Sequence, residues 1–374
     1  MLTRVRTVAR PGLGAVCWAG LRPFRSRLER ADGGGRLRPG ISAVVVARNE
    51  DYTVGMSLRS LIGFADQIIC VDNGSDDGTL VEMEKFRDEH GGDADVDVVS
   101  MPGALLGDCR NEGLRRSRHQ WHLRWDADMV AQTAGPDSML NVRERALADA
   151  RPRAIHMRRT TLIGDLRHAP RLGDVVDAGE NWLIRAGHGI TYAELGGMYD
   201  EVRTPLHYVE KWEPGEHIFH LAGLKADDNL IHRLHYFAWR ELINREGPQA
   251  DPELQTLDAF KRHRNRELFG TTDPQSVKFR YRRQLSYHLM PYDPEHFGSY
   301  PEVLRRELSG QQRFEVVYRE GRPWSRIDRQ DAEMLDYEPT GEDLEWNPEA
   351  FLRRFLTESD RNKLGIAAEG AQAA

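Results

Sequence analysis

The chain is poor in cysteine. Cys17, Cys70 and Cys109 are the only three in 374 residues, and no two of them form a Cys-x-x-Cys pair. An odd, scattered set disfavours a disulfide framework and a thiolate zinc site, and fits a reducing cytosol. Cys70, inside Gln67-Ile-Ile-Cys-Val-Asp72, reads as a small buried hydrophobe. Long apolar runs are also missing: the stretch from Ile41 to Ala47 falls far short of the roughly 18 residues of a spanning helix. That disfavours an integral membrane protein and leaves at most a peripheral membrane contact. There is no basic surplus, since 52 Lys and Arg face 59 Asp and Glu for a net charge of −7. Such a balance is not that of a dedicated nucleic-acid binder. Lysine itself is scarce, at six of the 52 basic residues, which fits a GC-rich bacterial genome. No Gly-x-Gly-x-x-Gly follows the first apolar run and no Walker A lysine motif occurs, so dinucleotide and P-loop chemistry lose ground.

What is present divides the chain. At about 150 residues per domain, the length predicts two to three domains, or one large domain with extensions. Residues 1–40 carry nine arginines against Glu29 and Asp32, with Pro11 and several glycines between them. They lack the clean apolar run and cleavage site of a secretory signal. The expectation is a flexible basic extension, with a weak contact to an anionic membrane surface as the alternative.

From residue 41 strands and helices alternate. Ile41–Ala47 is a continuous β-rich run, as in a buried parallel strand. Arg48-Asn-Glu-Asp51 follows, then a helical pattern through Met56, Leu58, Leu61 and Ile62. A second strand, Gln67–Val71, ends in Asp72-Asn-Gly-Ser-Asp-Asp-Gly-Thr79, with Thr79 placed to cap a helix carrying Leu80, Met83 and Phe86. A third strand spans Val96–Val99, a helix Leu105–Ser117, and a fourth strand Trp121–Trp125 ends in Asp126-Ala-Asp128. This order predicts a mainly parallel sheet covered by helices, with ligands beyond the carboxyl ends of the strands. The polar segments 48–51, 72–79 and 126–128 should collect on that rim. Asp126 and Asp128 repel unless a cation or a shared proton relieves them. Oxygen ligands of that kind suit Mg²⁺ or Mn²⁺, which then grip a diphosphate.

Ala43-Val-Val-Val-Ala-Arg-Asn-Glu50 followed by Ile68-Ile-Cys-Val-Asp-Asn-Gly-Ser-Asp-Asp-Gly-Thr79 resembles the opening of family 2 glycosyltransferases, which have the GT-A fold. Gly107-Asp-Cys-Arg-Asn-Glu-Gly113 resembles that family's Arg-Asn-x-Gly helix, and Trp121-His-Leu-Arg-Trp-Asp-Ala-Asp128 its strand ending in Asp-x-Asp. The resemblance is strong over residues 41–130. A weaker one continues through Asn181–Arg185, Ile190–Tyr192, Met198–Val202 and His217–Leu221.

The resemblance implies an α/β GT-A catalytic domain, a Rossmann-like mainly parallel sheet over 41–225. A C-terminal helical acceptor-side region would follow over 226–330, then an acidic, partly disordered tail over 331–374. It implies a metal-dependent, inverting transferase, cytoplasmic or at the inner face of the membrane, that moves a sugar from a nucleoside-diphosphate donor. The acceptor would be the hydroxyl of a glycan, glycolipid or small molecule. Arg48, Glu50, Asp72, Arg110 and Asp126 would bind the nucleotide sugar. Asp128 and His220 would hold Mg²⁺ or Mn²⁺, and Glu201 or its neighbour Asp200 would be the general base. Two rivals stand beside this: a non-catalytic sugar-nucleotide or glycan-binding protein on the same fold, and a nucleotidyltransferase.

The fourth strand departs from the family, with His122 and Arg124 at positions usually aliphatic. Their alternation with Trp121, Leu123 and Trp125 predicts one face not fully buried. Further on, a helix is expected over Asp228–Glu246 with Leu230, Leu234, Phe237 and Leu242 as core and His232 and His235 on a surface face. Trp182, Trp212 and Trp239 could stack on sugar rings, with burial as the plainer expectation for most of them.

Overall fold

The computed structural model describes residues 37–149, 151, 153–171, 180–187, 189–195, 199–205, 208–225, 227–308, 316–319, 322–325, 338–364 and 366. Most of the basic extension, Met198 and the end of the acidic tail lie outside the described residues. The described residues fall into two compact units. One is the chain up to Thr160 with Val176–His220 and Gly298–Arg306; the other is Thr161–Val175, Leu221–Phe297 and Glu307 onward.

The first unit is an α/β sheet of seven strands. In chain order it runs β1 (Arg38–Ala47), α1 (Val54–Arg59), β2 (Gln67–Asp72), α2 (Thr79–His90), β3 (Asp95–Ser100), α3 (Leu106–Arg116) and β4 (His119–Asp126). There follow in the chain β5 (Met129–Ala131), α4 (Met139–Leu147), β6 (Arg153–Met157), β7 (Arg159–Ile163), β8 (His168–Pro170, in the second unit), β9 (Glu180–Arg185), β10 (Thr191–Leu195), β11 (Tyr199–Arg203), β12 (Val209–Trp212) and β13 (Ile218–Gly223), with β7 and β13 each running across the division between units. The sheet order is β12-β6-β9-β4-β1-β2-β3. β1 pairs in parallel with β2 and β4, and β2 with β3. Only β9 runs against its neighbours, β4 and β6. β1 lies between two parallel partners and is buried on both faces from Ile41 to Ala47, which is why its sequence is a continuous Val/Ile run.

One face of the sheet carries the main core, with Val45, Cys70, Leu123, Trp125 and Trp182 packed on Leu58, Phe64 and Met83. The other face meets α3. Gly113 makes that contact possible: a Cβ there would overlap Val44 of β1. The motif glycine is therefore a close-approach residue.

Two expectations change. Thr79 is the first helical residue of α2 with Gly78 at its cap position, and the Thr79 hydroxyl serves the neighbouring loop. The polar face of β4 is buried, not open: His122 and Arg124 are both covered, because the β10–β11 hairpin lies over them and supplies polar partners. Alternation marked the second chemistry of the face correctly, but not its exposure.

The second unit is mainly helical: α5 (Asp227–Glu246), α6 (Leu257–Phe269), α7 (Pro274–Ser286) and later short helices including α8 (Gly341–Glu345). Thr256 and Asp273 cap α6 and α7 through their side chains, Pro274 opens α7, and Gly270 closes α6 with φ 70°. Asp343 of α8 accepts from Arg280 Nε at 2.9 Å, a buried ion pair within this unit. On α5 the buried positions are Asp227, Ile231 and His235. Leu234 is 42% exposed and not core, while His235 is buried with Nε2 2.7 Å from Asn265 Oδ1. That hydrogen bond is what lets a histidine take the inner face, one position round the helix from the leucine.

Candidate active site

The rim forms where three adjacent strands end. Ala47 of β1 is in register with Asp72 of β2, and Val46 with Asp126 of β4. Asp72 and Asp126 therefore flank β1, roughly 10 Å apart at two strand spacings.

On the β2 side two loops are laced together. Asn49 holds a left-handed conformation, φ 56°. Its N–H donates to Ser75 Oγ at 3.0 Å, and its side-chain oxygen accepts from Asp76 N at 3.0 Å. The N–H of Glu50 donates to Thr79 Oγ1 at 2.7 Å. The carboxylate of Asp72 is buried and accepts the N–H groups of Gly74 at 3.1 Å and Ser75 at 3.2 Å. This Asx-type turn folds the glycine loop over the strand end. Gly74, φ 73°, lies against Pro102, where a Cβ would come within 3.0 Å. Glu50 is buried and accepts from Thr53 Oγ1 at 3.1 Å, while Arg48 is exposed.

On the β4 side Arg110 is fully buried beneath the strand end. Its guanidinium donates to the carbonyls of Val44 and Trp125 and to the carboxylate of Asp126. Burial pushes Asp126 up, but Arg110 and Arg124 outweigh it and hold the carboxyl down to about 2. Arg110 thus meets the rim through Asp126 and not directly. Asp128 lies in the turn into β5, which pairs antiparallel with β13. That pairing brings His220 Nε2 to 3.6 Å from Asp128 Oδ1. His217 is used elsewhere: its ring nitrogens lie 2.6 Å from the Asp137 carbonyl and 2.8 Å from that of Pro214.

Asp200 and Glu201 lie on β11. Strand alternation points them to opposite faces. The Asp200 carboxylate is 2% exposed and lies between Arg124 Nη2 at 3.0 Å and Arg110 Nε at 3.4 Å. Glu201 is half-buried. Beside them His122 Nε2 is 2.9 Å from the Tyr192 hydroxyl. Burial first, then Arg110 and Arg124, pushes the His122 imidazolium down to about 3. Burial likewise raises the Tyr192 phenol, against the pull of the same arginines.

Among the described residues no three His, Cys, Asp or Glu side chains gather as a metal cluster. Asp128 and His220 offer two donors at the rim. Two donors suit a cation that completes its shell with phosphate oxygens and water, the usual mode of Mg²⁺. Of the tryptophans, Trp182 is buried and Trp212 is 45% exposed against His156. Arg124, Glu180 and Tyr192 were not anticipated as site neighbours. The signal for Arg124 was its polarity inside an apolar strand and for Tyr192 its place in the weaker resemblance over Ile190–Tyr192; for Glu180 there was none. No described helix is long and apolar enough to cross a membrane.

Residues 42–141 match the model of Glycosyl transferase family 2. No curated protein matches the chain. Among solved structures, S. aureus TarS 1–349 is similar at 14% identity and a TM-score of 0.34, over 77% of this chain and 97% of that one. The mannosyltransferase PcManGT from Pyrobaculum calidifontis, in complex with GDP-Man and Mn²⁺, is similar at 15% identity and a TM-score of 0.37, over 68% and 79%. The family match spans β1 to α4 and contains the laced loops, Arg110 and both rim aspartates: over residues 42–141 this chain is similar to family 2 glycosyltransferases.

Proposed function

We propose that the chain is an inverting glycosyltransferase that moves a sugar from a nucleoside diphosphate to an acceptor hydroxyl, with a divalent cation. One observation carries this reading: Asp72 and Asp126 end the two parallel strands that flank β1, with Asp128 in the turn that follows, inside the region that matches the family. That is where an open α/β sheet binds its ligand.

Each side chain has a task in this reading. Asp72 keeps lone pairs beyond those its turn uses, and these can accept from a base N–H or a ribose hydroxyl. Arg48 and Glu50 border the nucleoside. Asp126, neutralised by Arg110, faces ribose and diphosphate. A cation held by Asp128 and His220 with the donor's phosphate oxygens would offset the charge that develops on the leaving diphosphate. The acceptor oxygen attacks the anomeric carbon from the face opposite the diphosphate, the carbon–phosphate-oxygen bond breaks, and the configuration inverts. The acceptor proton needs a carboxylate within reach. Asp200 is enclosed by two guanidiniums, so Glu201 is the better candidate for the base. Glycan, glycolipid and small-molecule acceptors all fit this chemistry.

The test is donor turnover. Purified protein is incubated with UDP-, GDP- and dTDP-sugars in Mn²⁺, Mg²⁺ or EDTA, and release of nucleoside diphosphate is followed. The expected result is slow, metal-dependent release from one donor class, lost by at least a hundredfold in Asp128→Asn. Silence across the panel, with no nucleotide binding by calorimetry, would overturn the reading in favour of a non-catalytic protein.

A further inference from the structure

β4 has two chemistries. Trp121, Leu123 and Trp125 enter the core, while His122 and Arg124 point to the other face and meet the β10–β11 hairpin. The hairpin is held at several points. Asn111 of α3 donates to the Tyr192 carbonyl at 2.8 Å and accepts from its N–H at 2.9 Å, as a neighbouring strand would. The Glu194 carboxylate accepts from Gly107 N. These anchors hold β10, and β11, which carries Asp200 and Glu201, pairs with it antiparallel. Toward β4, β11 is tied in addition by a chain of ion pairs.

That chain runs Asp126, Arg110, Asp200, Arg124, Glu180. Arg124 is its least expected member. Its guanidinium lies 5.0 Å from the centroid of the buried Trp182 ring, which fixes its plane. From there it reaches Asp200 Oδ1 and Glu180 together. A guanidinium can bridge two carboxylates in one plane; an ammonium is a point charge and cannot do so equally. Asp200 Oδ1 accepts from Arg124 and Oδ2 lies 3.4 Å from Arg110 Nε, which links the Asp200 side chain through Arg110 to Asp126. Glu201 follows in sequence.

We infer that Arg124 is a positioning residue for the transfer reaction: acting through Asp200, it sets β11, and with it Glu201, against the strand that ends in Asp126. This rests on the glycosyltransferase reading above. It goes beyond it by assigning a role to a side chain that touches neither donor nor acceptor. A clamp of this kind bears more on turnover than on nucleotide binding, which Arg124 touches only through the charge of Asp126. The nucleotide side of the rim, from Arg48 to Thr79, is built by other hydrogen bonds.

The test compares wild type with Arg124→Met, Arg124→Lys and Asp200→Asn. UDP and GDP binding with Mn²⁺ is measured by calorimetry. The kcat and KM for hydrolysis of UDP-glucose, GDP-mannose and dTDP-glucose are measured beside thermal melting. Arg124→Met is expected to keep nucleotide Kd within about threefold and to lower kcat about a hundredfold. Arg124→Lys should recover about tenfold of that loss. Asp200→Asn should match Arg124→Met, and the double variant should be no slower than either single one. Where Arg124→Met does not fold, Arg124→Lys and Asp200→Asn decide by the same split. Unchanged kcat in the variants, or a loss shared equally between Kd and kcat without rescue by lysine, would overturn the inference alone. Wild-type protein that neither binds these nucleotides nor hydrolyses these donors would overturn the function reading, and the inference with it.

Discussion

At the scale of single residues, the site is a problem of buried charge. Arg110 is fully enclosed, yet it donates to two backbone carbonyls and to the Asp126 carboxylate, with Asp200 Oδ2 3.4 Å from its Nε. Taking a guanidinium out of water is tolerated only with such partners. His122 shows the same economy in the opposite direction. Lying beside Arg110 and Arg124, it is kept neutral, with its proton affinity pushed down to about 3. In the unfolded chain its pKa is about 6.5. The unfolded state therefore binds the proton first, and stability falls as pH drops below 6.5 until about 3. Between pH 7 and pH 5 this one residue should account for about 2 kcal/mol of lost stability. Urea unfolding of wild type and His122→Gln at both pH values checks it: the variant should lose about that much less. Equal losses in both proteins would show that His122 does not carry the effect. Asp126 works in a lower window, with its contribution present above pH 3.8 and lost toward pH 2.

At the scale of elements, local sequence explains the strands and part of the helices. The Val/Ile run of β1, the glycine loop after Asp72 and the Asp-x-Asp turn were legible because each is a local pattern with a local cause. The Arg-Asn-x-Gly helix was legible as a motif, but its mechanics were not. Gly113 is set by contact with Val44, and Asn111 by the backbone of Tyr192, 81 residues away. Nothing near either residue in the chain announces these partners. The same holds for α5, where periodicity alone placed Leu234 inside. A histidine paired with Asn265 holds that face instead. Gly113→Ala is expected to cost about 1–3 kcal/mol by overpacking α3 on β1, read as a lower urea midpoint with an unchanged slope. A neutral substitution would mean that α3 does not lie so close to the strand.

At the scale of the whole molecule, the candidate site is a property of topology. Asp72 and Asp126 are 54 positions apart in sequence and meet only because β2 and β4 both flank β1 in parallel. The alternation of strands and helices was enough to anticipate that rim. It could not anticipate Glu180, Tyr192 and Asp200, which reach β4 from a later, partly antiparallel part of the first unit. An acidic rim on a chain of net charge −7 also repels a diphosphate unless a cation joins them. The central claim is that this rim grips a nucleoside diphosphate through such a cation. The most direct measurement is a crystal grown with Mn²⁺ and UDP or GDP, with data collected at the manganese edge. The account expects an anomalous peak at bonding distance from an Asp128 carboxylate oxygen, on the diphosphate, with the base beside Asp72. Nucleotide bound elsewhere, or bound at this rim with manganese remote from Asp128, would contradict it.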